Sequence, residues 1–187
     1  VKLLVGITGA SGTRLGVKTA LLAKKHGCEV GVIFTQNALV SAKFECETNL
    51  QNLLNECEIF TQIHESPASG SSLWEALAVV PCSTNSLAKI SCGIADNLLT
   101  RTASVMLKER RKLLLAVREM PLHAVALKQM WELSTQGVMV APPVFAAYSG
   151  VSNLDELENF FVGKFFDLLG VKNDLYKRWQ SAESYDV

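Results

Sequence analysis

The stretch LAVVPCSTNSLAKISCGIADN, Leu77 to Asn97, decides the fold, because an apolar run stops there at a proline and gives way to hydroxyls and amides. Ala76 to Val80 reads as a fully buried strand, and Pro81, which has no N–H for a pairing ladder, is expected to close it. Ser83, Thr84, Asn85 and Ser86 then crowd a turn, and Leu87, Ile90 and Ile94 follow at helical spacing. A strand, a polar turn and a helix start, in that order, is where open α/β sheets bind ligands.

Upstream, Lys2 to Thr8 is a short apolar strand running into GASG, and Leu15 to Lys25 is a helix that Gly27 caps. Cys28 to Thr35 is a second buried strand, so the first 35 residues form a βαβ unit, which implies an α/β fold with a doubly wound parallel sheet. Ala38 to Cys46 reads as helix. Glu47 to His64 is undecided, with EIFTQI as a short strand. SPASGSS, Ser66 to Ser72, has the composition of a flexible or ligand-covering loop.

Downstream, a helix is expected over Ala95 to Arg110, with Leu98, Leu99, Thr102, Val105 and Met106 at helical intervals and positive charge at its end. Leu113 to Val117 is a strand, Pro121 starts a helix through Leu133, and Val138 to Val140 is a short strand. Leu154 to Leu169 is an amphipathic helix with Leu157, Phe161, Phe165 and Leu168 on one face, followed by a polar tail. Neither a repeat nor a linker divides the chain, so residues 1–187 are expected to form one domain.

Composition excludes several classes of function. Eighteen basic and eighteen acidic residues cancel, leaving no electrostatic footprint for nucleic acid or an anionic membrane. Five cysteines, odd in number and without a C-x-x-C pair, suggest neither a disulfide framework nor zinc, and they fit a reducing cytoplasm. No apolar run approaches the roughly 20 residues of a membrane span, and the N-terminus lacks a signal-peptide pattern. Neutrality together with 49% hydrophobic content hints that other subunits cover part of the surface.

The run Gly6-Ile-Thr-Gly9-Ala-Ser-Gly12 places small residues where backbone amides and a helix dipole meet a phosphate. Its spacing is not G-x-G-x-x-G, and the second strand ends in Phe34-Thr35-Gln36 without the acid that holds a dinucleotide ribose, which argues against NAD. A mononucleotide phosphate or ribityl chain is the preferred ligand, and a purely structural turn is the alternative. The Ser83 to Ser86 turn is read equally well as a ligand site or as a helix cap. Cys82 is more simply a buried thiol than a nucleophile, since no histidine shares its motif. Arg101, Lys108, Arg118 and Lys164 together would make a phosphate clamp, although each taken singly is ordinary surface. His26, His64 and His123 share no metal-ligand spacing, and Trp74, Trp131 and Trp179 are most simply packing residues.

Taken together, GITGASG, SPASGSS, the block from Val79 to His123 and the closing KNDLYKRW resemble the UbiX/Pad family of flavin prenyltransferases, formerly described as aromatic-acid or polyprenyl-hydroxybenzoate decarboxylases. The resemblance implies a flavodoxin-like or Rossmann-like three-layer sandwich assembled into homo-oligomers, commonly dodecamers. The C-terminal helix and tail from about residue 154 are expected to pack on a neighbour. It also implies that the protein binds FMN, needs no metal, and joins a dimethylallyl group from dimethylallyl phosphate to N5 and C6 of the reduced flavin. A UbiD-type decarboxylase would receive the product, prenylated FMN.

By the same resemblance Gly9, Ala10, Ser11, Ser83, Thr84, Asn85 and Ser86 hold FMN, Thr35 stands where a serine is usual, and Arg118 touches the flavin. Ala68, Ser69, Arg101, Lys108, Glu119, Tyr148 and Lys164 serve the prenyl phosphate, with Glu119 a candidate proton shuttle, and Glu45 matches an acid near the flavin's reactive edge. Trp179 is a candidate aromatic wall. Two departures stand out: Pro142-Pro143-Val144-Phe145-Ala146-Ala147-Tyr148 differs from the usual Pro-Pro-Val-Pro-Ala-Phe-Tyr, and Lys164 replaces a frequent arginine. An FMN-dependent cysteine decarboxylase and a non-catalytic flavin carrier are the alternatives.

Overall fold

The computed structural model describes residues 1–179, without the side chains of residues 46–49. The end of the tail, residues 180–187, and the Cys46 thiol lie outside the described residues. Six parallel strands, β1 Lys2–Ile7, β2 Glu29–Phe34, β3 Glu58–Phe60, β4 Ala76–Cys82, β5 Lys112–Val117 and β6 Met139–Val140, form one sheet in the order β3-β2-β1-β4-β5-β6. Helices α1 Thr13–Lys25, α2 Gln36–Glu56, α3 Thr84–Ser91, α4 Leu98–Lys108, α5 Ala124–Thr135 and α6 Leu154–Leu169 cover it.

The strands read as unbroken apolar runs because both faces of the sheet are covered. Leu3, Val5, Ile7, Val32, Ala78 and Val80 turn to one face and pack with Val17, Ala38, Leu53, Phe165 and Phe166 from α1, α2 and α6. Leu4, Ile33, Leu77 and Val79 turn to the other and pack with Leu87, Leu99, Met106, Ala126 and Leu133 from α3, α4 and α5. This gives the expected three-layer sandwich. The strand order reverses between β1 and β4, and a crevice opens there at the carboxyl ends of the strands.

Several boundaries differ from expectation for local reasons. Pro81 does not close β4: the strand runs to Cys82, which pairs with Val117, and the register shifts between Val79 and Cys82, an irregularity that tolerates a missing donor. Residues 47–56 continue α2, and β3 follows directly after its C-cap Cys57. The helix expected from Ala95 starts at Leu98, because Asn97 Oδ1 accepts the Thr100 N–H at 3.0 Å while the Thr100 hydroxyl accepts the Asn97 N–H at 3.3 Å. The helix expected from Pro121 starts at Ala124, where His123 Nδ1 accepts the Ala126 N–H at 3.3 Å.

The face of α6 is also rotated from the expected one. Phe160, Val162, Phe165, Phe166 and Leu169 are buried, whereas Leu168 is exposed. Apolar residues occupy most sides of its second half, so periodicity alone leaves its orientation open, and Phe166 meets His26, the C-cap of α1, edge-on with centroids 5.6 Å apart. Ser66 to Ser72 is not a free loop. The Arg111 guanidinium donates to the carbonyls of Gly70 at 2.6 Å, Ser72 at 2.8 Å and Trp74 at 3.1 Å, tying the segment to the amino-terminal edge of the sheet. Among the described residues no helix is long and apolar enough to cross a membrane.

Candidate functional site

The crevice at the β1–β4 reversal has a volume of about 590 Å³. Its lining includes Gly9, Thr35, Ser83, Asn85 and Ser86 from the sequence-predicted set. Thr8 builds its floor: the buried hydroxyl donates to the Pro81 carbonyl at 2.8 Å and accepts the Ser83 N–H at 2.9 Å, so the ends of β1 and β4 are locked side by side. Ser83 caps α3, its hydroxyl oxygen accepting the Ser86 N–H at 3.2 Å and lying 3.1 Å from the Ser86 hydroxyl. Helix capping and crevice lining therefore coincide in one turn. Arg118 follows β5, and its N–H donates to the Cys82 carbonyl at 3.0 Å, which starts its side chain beside the same strand ends.

Glu45 reaches from α2 to the amino terminus of α1. Its carboxylate accepts the Gly12 N–H at 3.0 Å, the Thr13 hydroxyl at 2.8 Å and the Arg14 N–H at 3.5 Å. Partial burial alone would raise its pKa, but these bonds and the Ser11 hydroxyl outweigh it and hold the carboxyl below its usual value. The α1 terminus, expected to receive a ligand phosphate, thus faces a carboxylate of the chain itself. Of the GASG loop, Gly9 lines the crevice.

The predicted donor-binding residues and Glu119 are absent from the crevice lining and are spread over several places. Lys108 ends α4 about 15 Å along the helix axis from Leu98 in the crevice wall. There it pairs with Glu109, and the two side-chain ends sit against Gly70, beside Ala68 and Ser69. Arg101 is exposed on α4, and Glu119 is exposed after β5, its Oε1 accepting the Met120 N–H at 3.1 Å. Tyr148 packs edge-on against Phe160 and Trp179, with centroids 6.2 and 5.5 Å away, and Lys164 lies over the Tyr176 ring at 5.9 Å. One protomer does not gather the phosphate set around the crevice.

Sequence reasoning missed Thr8, Asn37, Thr61, Lys89, Asp96, Asn97 and the apolar wall of Phe34, Leu98 and Leu99. Lys89 Nζ meets Asp96 Oδ2 at 2.6 Å, and this bond holds the Asp96 carboxyl below its usual value. The signal for Thr8 was present, a hydroxyl at the end of a strand that enters a glycine turn. Complete burial pushes the Cys82 thiol up to about 12, which favours the protonated thiol over a thiolate. Among the described residues no group of three or more His, Cys, Asp or Glu is placed to hold a metal ion. The crevice thus offers hydroxyls, amides and an apolar wall, without an acid at the end of β2.

A family model described as Flavoprotein matches residues 1–165. The chain is 44% identical to the flavin prenyltransferase UbiX of Campylobacter jejuni subsp. jejuni serotype O:2, over 97% of this chain and 100% of that one. In structure it is similar to AnUbiX (PadA1) in complex with FMN and dimethylallyl pyrophosphate, with TM-score 0.92 and 32% identity over 97% of this chain and 98% of the other. It is also similar to a dodecameric FMN-dependent UbiX-like decarboxylase from Escherichia coli O157:H7, with TM-score 0.91 and 33% identity over 97% and 100% of the two chains.

Proposed function

The chain belongs to the flavoprotein family, among the UbiX-type flavin prenyltransferases, and on that premise we propose how its residues share the reaction. It is a transferase that uses FMN as prenyl acceptor. The residues present fit that cofactor: a crevice of about 590 Å³ has an apolar wall at Phe34, Leu98 and Leu99 for a ring system and a hydroxyl and amide edge at Ser83, Asn85 and Ser86 for a polar chain. Reduced FMN, when bound, supplies the N5 and C6 positions to which the dimethylallyl group is joined.

The chain's own residues orient, balance charge and move protons. Gly9, Ala10, Ser11, Thr35 and Ser83 to Ser86 seat the flavin, with Arg118 approaching it from β5. Arg101, Lys108, Tyr148 and Lys164, with Ala68 and Ser69, bind the prenyl donor, and the cations stabilise the departing phosphate. Glu119 accepts or returns a proton during ring closure, and Glu45 sets the Ser11 to Arg14 backbone beside the flavin.

Lys108 and Ser69 sit far from the crevice of their own protomer, so a complete site draws them from neighbouring copies, in a homo-oligomer of the dodecameric kind. The exposed Leu154, Leu168 and Trp179 support a C-terminal helix and tail that pack on a neighbour, within a single domain spanning residues 1–187. The prenylated flavin then passes to a UbiD-type decarboxylase, in the cytoplasm. The donor is dimethylallyl monophosphate or diphosphate, which share the allylic carbon and the leaving phosphate.

The observation that carries this reading is the crevice at the β1–β4 reversal, with the Ser83 turn at its edge. Anaerobic incubation with reduced FMN and dimethylallyl phosphate is expected to give a flavin heavier by one prenyl unit, read by mass spectrometry. An unchanged flavin mass with FMN tightly bound would support a flavin carrier instead. The altered loop before Tyr148 is the feature that favours that second reading.

A further inference from the structure

Asp167, near the end of α6, gathers the segment that follows the helix. Its Oδ2 accepts the Tyr176 hydroxyl at 2.6 Å and an Arg178 N–H at 2.9 Å, while Oδ1 accepts a second Arg178 N–H at 2.8 Å and the Asn173 amide at 3.0 Å. The guanidinium is held by both carboxylate oxygens, a geometry that fixes direction as well as distance. Asn173 also donates to the Gly163 carbonyl at 3.3 Å, and a Cβ at Gly163 would fall 2.4 Å from the Tyr176 ring. A glycine at that position therefore lets the strap lie flat on α6.

The fixed Tyr176 ring touches the elements that present two donor-binding residues. It meets Phe160 edge-on at 5.2 Å, and Phe160 in turn meets Tyr148, while Trp179, one residue past Arg178, meets Tyr148 from another side. The Lys164 ammonium lies over the Tyr176 ring. We propose that Asp167 is a positioning residue for use of the prenyl donor, setting Tyr148, Lys164 and Trp179 through Tyr176 and Arg178. This rests on the prenyltransferase reading above, and on Tyr148 and Lys164 contacting the donor.

The test compares wild type with Asp167→Asn and Asp167→Glu, each assayed for prenyl transfer and, separately, for equilibrium binding of oxidised FMN. Asp167→Asn keeps shape but loses the charge that holds Arg178. Its KM for dimethylallyl phosphate is expected to rise about tenfold, with kcat falling less, FMN affinity unchanged, and Asp167→Glu recovering part of the loss. Gly163→Ala, which displaces the ring and leaves the carboxylate intact, is expected to reproduce the KM effect. Unchanged donor KM in both Asp167→Asn and Gly163→Ala, in proteins that bind FMN normally, overturns the proposal. So does an equal loss of FMN binding and prenyl transfer, which marks a merely structural role. A wild-type protein that binds FMN and transfers no prenyl group would instead overturn the prenyltransferase reading.

Discussion

The backbone N–H of Ser83 donates to the hydroxyl of Thr8 at 2.9 Å, across 75 positions of sequence. The same hydroxyl donates to the Pro81 carbonyl, so one buried side chain joins the two strands that flank the crevice. The parallel ladder between β1 and β4 ends at Gly6 and Val79, and Thr8 carries the link past it to Pro81 and Ser83.

Thr8→Val is nearly isosteric and removes both bonds, leaving the Ser83 N–H and the Pro81 carbonyl without that partner. It is expected to cost about 1–3 kcal/mol of stability, the penalty for buried polar groups left unpaired. FMN affinity is expected to fall as well, because the Ser83 turn loses its anchor. Urea unfolding and flavin fluorescence titration measure the two effects, and loss of neither would show that the turn is held by α3 alone.

Arg101→Ala and Lys108→Ala separate the donor from the cofactor. Both residues are exposed on α4, outside the crevice lining. Each is expected to reduce kcat/KM for dimethylallyl phosphate by at least about tenfold, with FMN still bound. Weakened FMN retention in both variants would place these side chains at the flavin rather than at the phosphate.

Gly16→Ala sets helix propensity against packing. Alanine would favour α1 by about 1 kcal/mol, but its Cβ would come 2.0 Å from the Val80 carbonyl oxygen. That oxygen belongs to the backbone of a central strand and cannot rotate away, so the clash wins and destabilises the protein by about 3 kcal/mol. Thermal unfolding reads the result, and a raised Tm would show that α1 can lift off the sheet.

Cys82 and Cys92 are predicted to differ sharply towards iodoacetamide. Burial holds the Cys82 thiol protonated and out of reach, whereas Cys92 is exposed at the end of α3. Peptide mapping of the native protein at pH 8 should find Cys92 modified and Cys82 intact, and Cys82→Ala should retain prenyl transfer. Loss of turnover with normal folding in that variant would reopen Cys82 as a reactive group.

Asp167 also predicts a pH dependence. Its hydrogen bonds with Arg178, joined by Tyr176 and Asn173, hold the carboxyl down to about 2, while burial and the Asp167 charge push the facing Tyr176 hydroxyl up to about 12. A depressed carboxyl pKa stabilises the folded form above the ordinary aspartate value of about 4, and the gain is lost as pH falls towards 2. The stability difference between wild type and Asp167→Asn should therefore be constant from pH 5 to 7 and shrink below pH 4. A difference that persists unchanged at pH 2.5 would mean that the charge is not what holds the strap.

The sheet could be read from the sequence because a parallel strand covered on both faces has to be an unbroken apolar run, and Leu3 to Ile7, Val30 to Phe34, Ala76 to Val80 and Leu113 to Val117 are such runs. The Ser83 turn was legible for a related reason, since hydroxyls and amides directly after a buried strand mark its carboxyl end. The start of α4 was misplaced by three residues, because Asp96 and Asn97 fit a first helical turn as well as a cap until the Thr100 hydroxyl closes the box.

Sequence by itself determined the alternation of strand and helix, the polar turn after β4, the missing acid after β2 and the family, all properties of neighbouring residues or of the ordered string. Tertiary structure alone decided that Glu45 occupies the α1 terminus, that Arg111 pins Gly70, Ser72 and Trp74, that α6 buries Phe166 rather than Leu168, and that Asp167 gathers Tyr176 and Arg178. For the three charged side chains, Glu45, Arg111 and Asp167, the physical reason is the same. Local pattern fixes what a segment becomes, whereas a carboxylate or guanidinium on a long side chain takes whichever partner the packed layers bring within about 3 Å, and that distance exists only after folding.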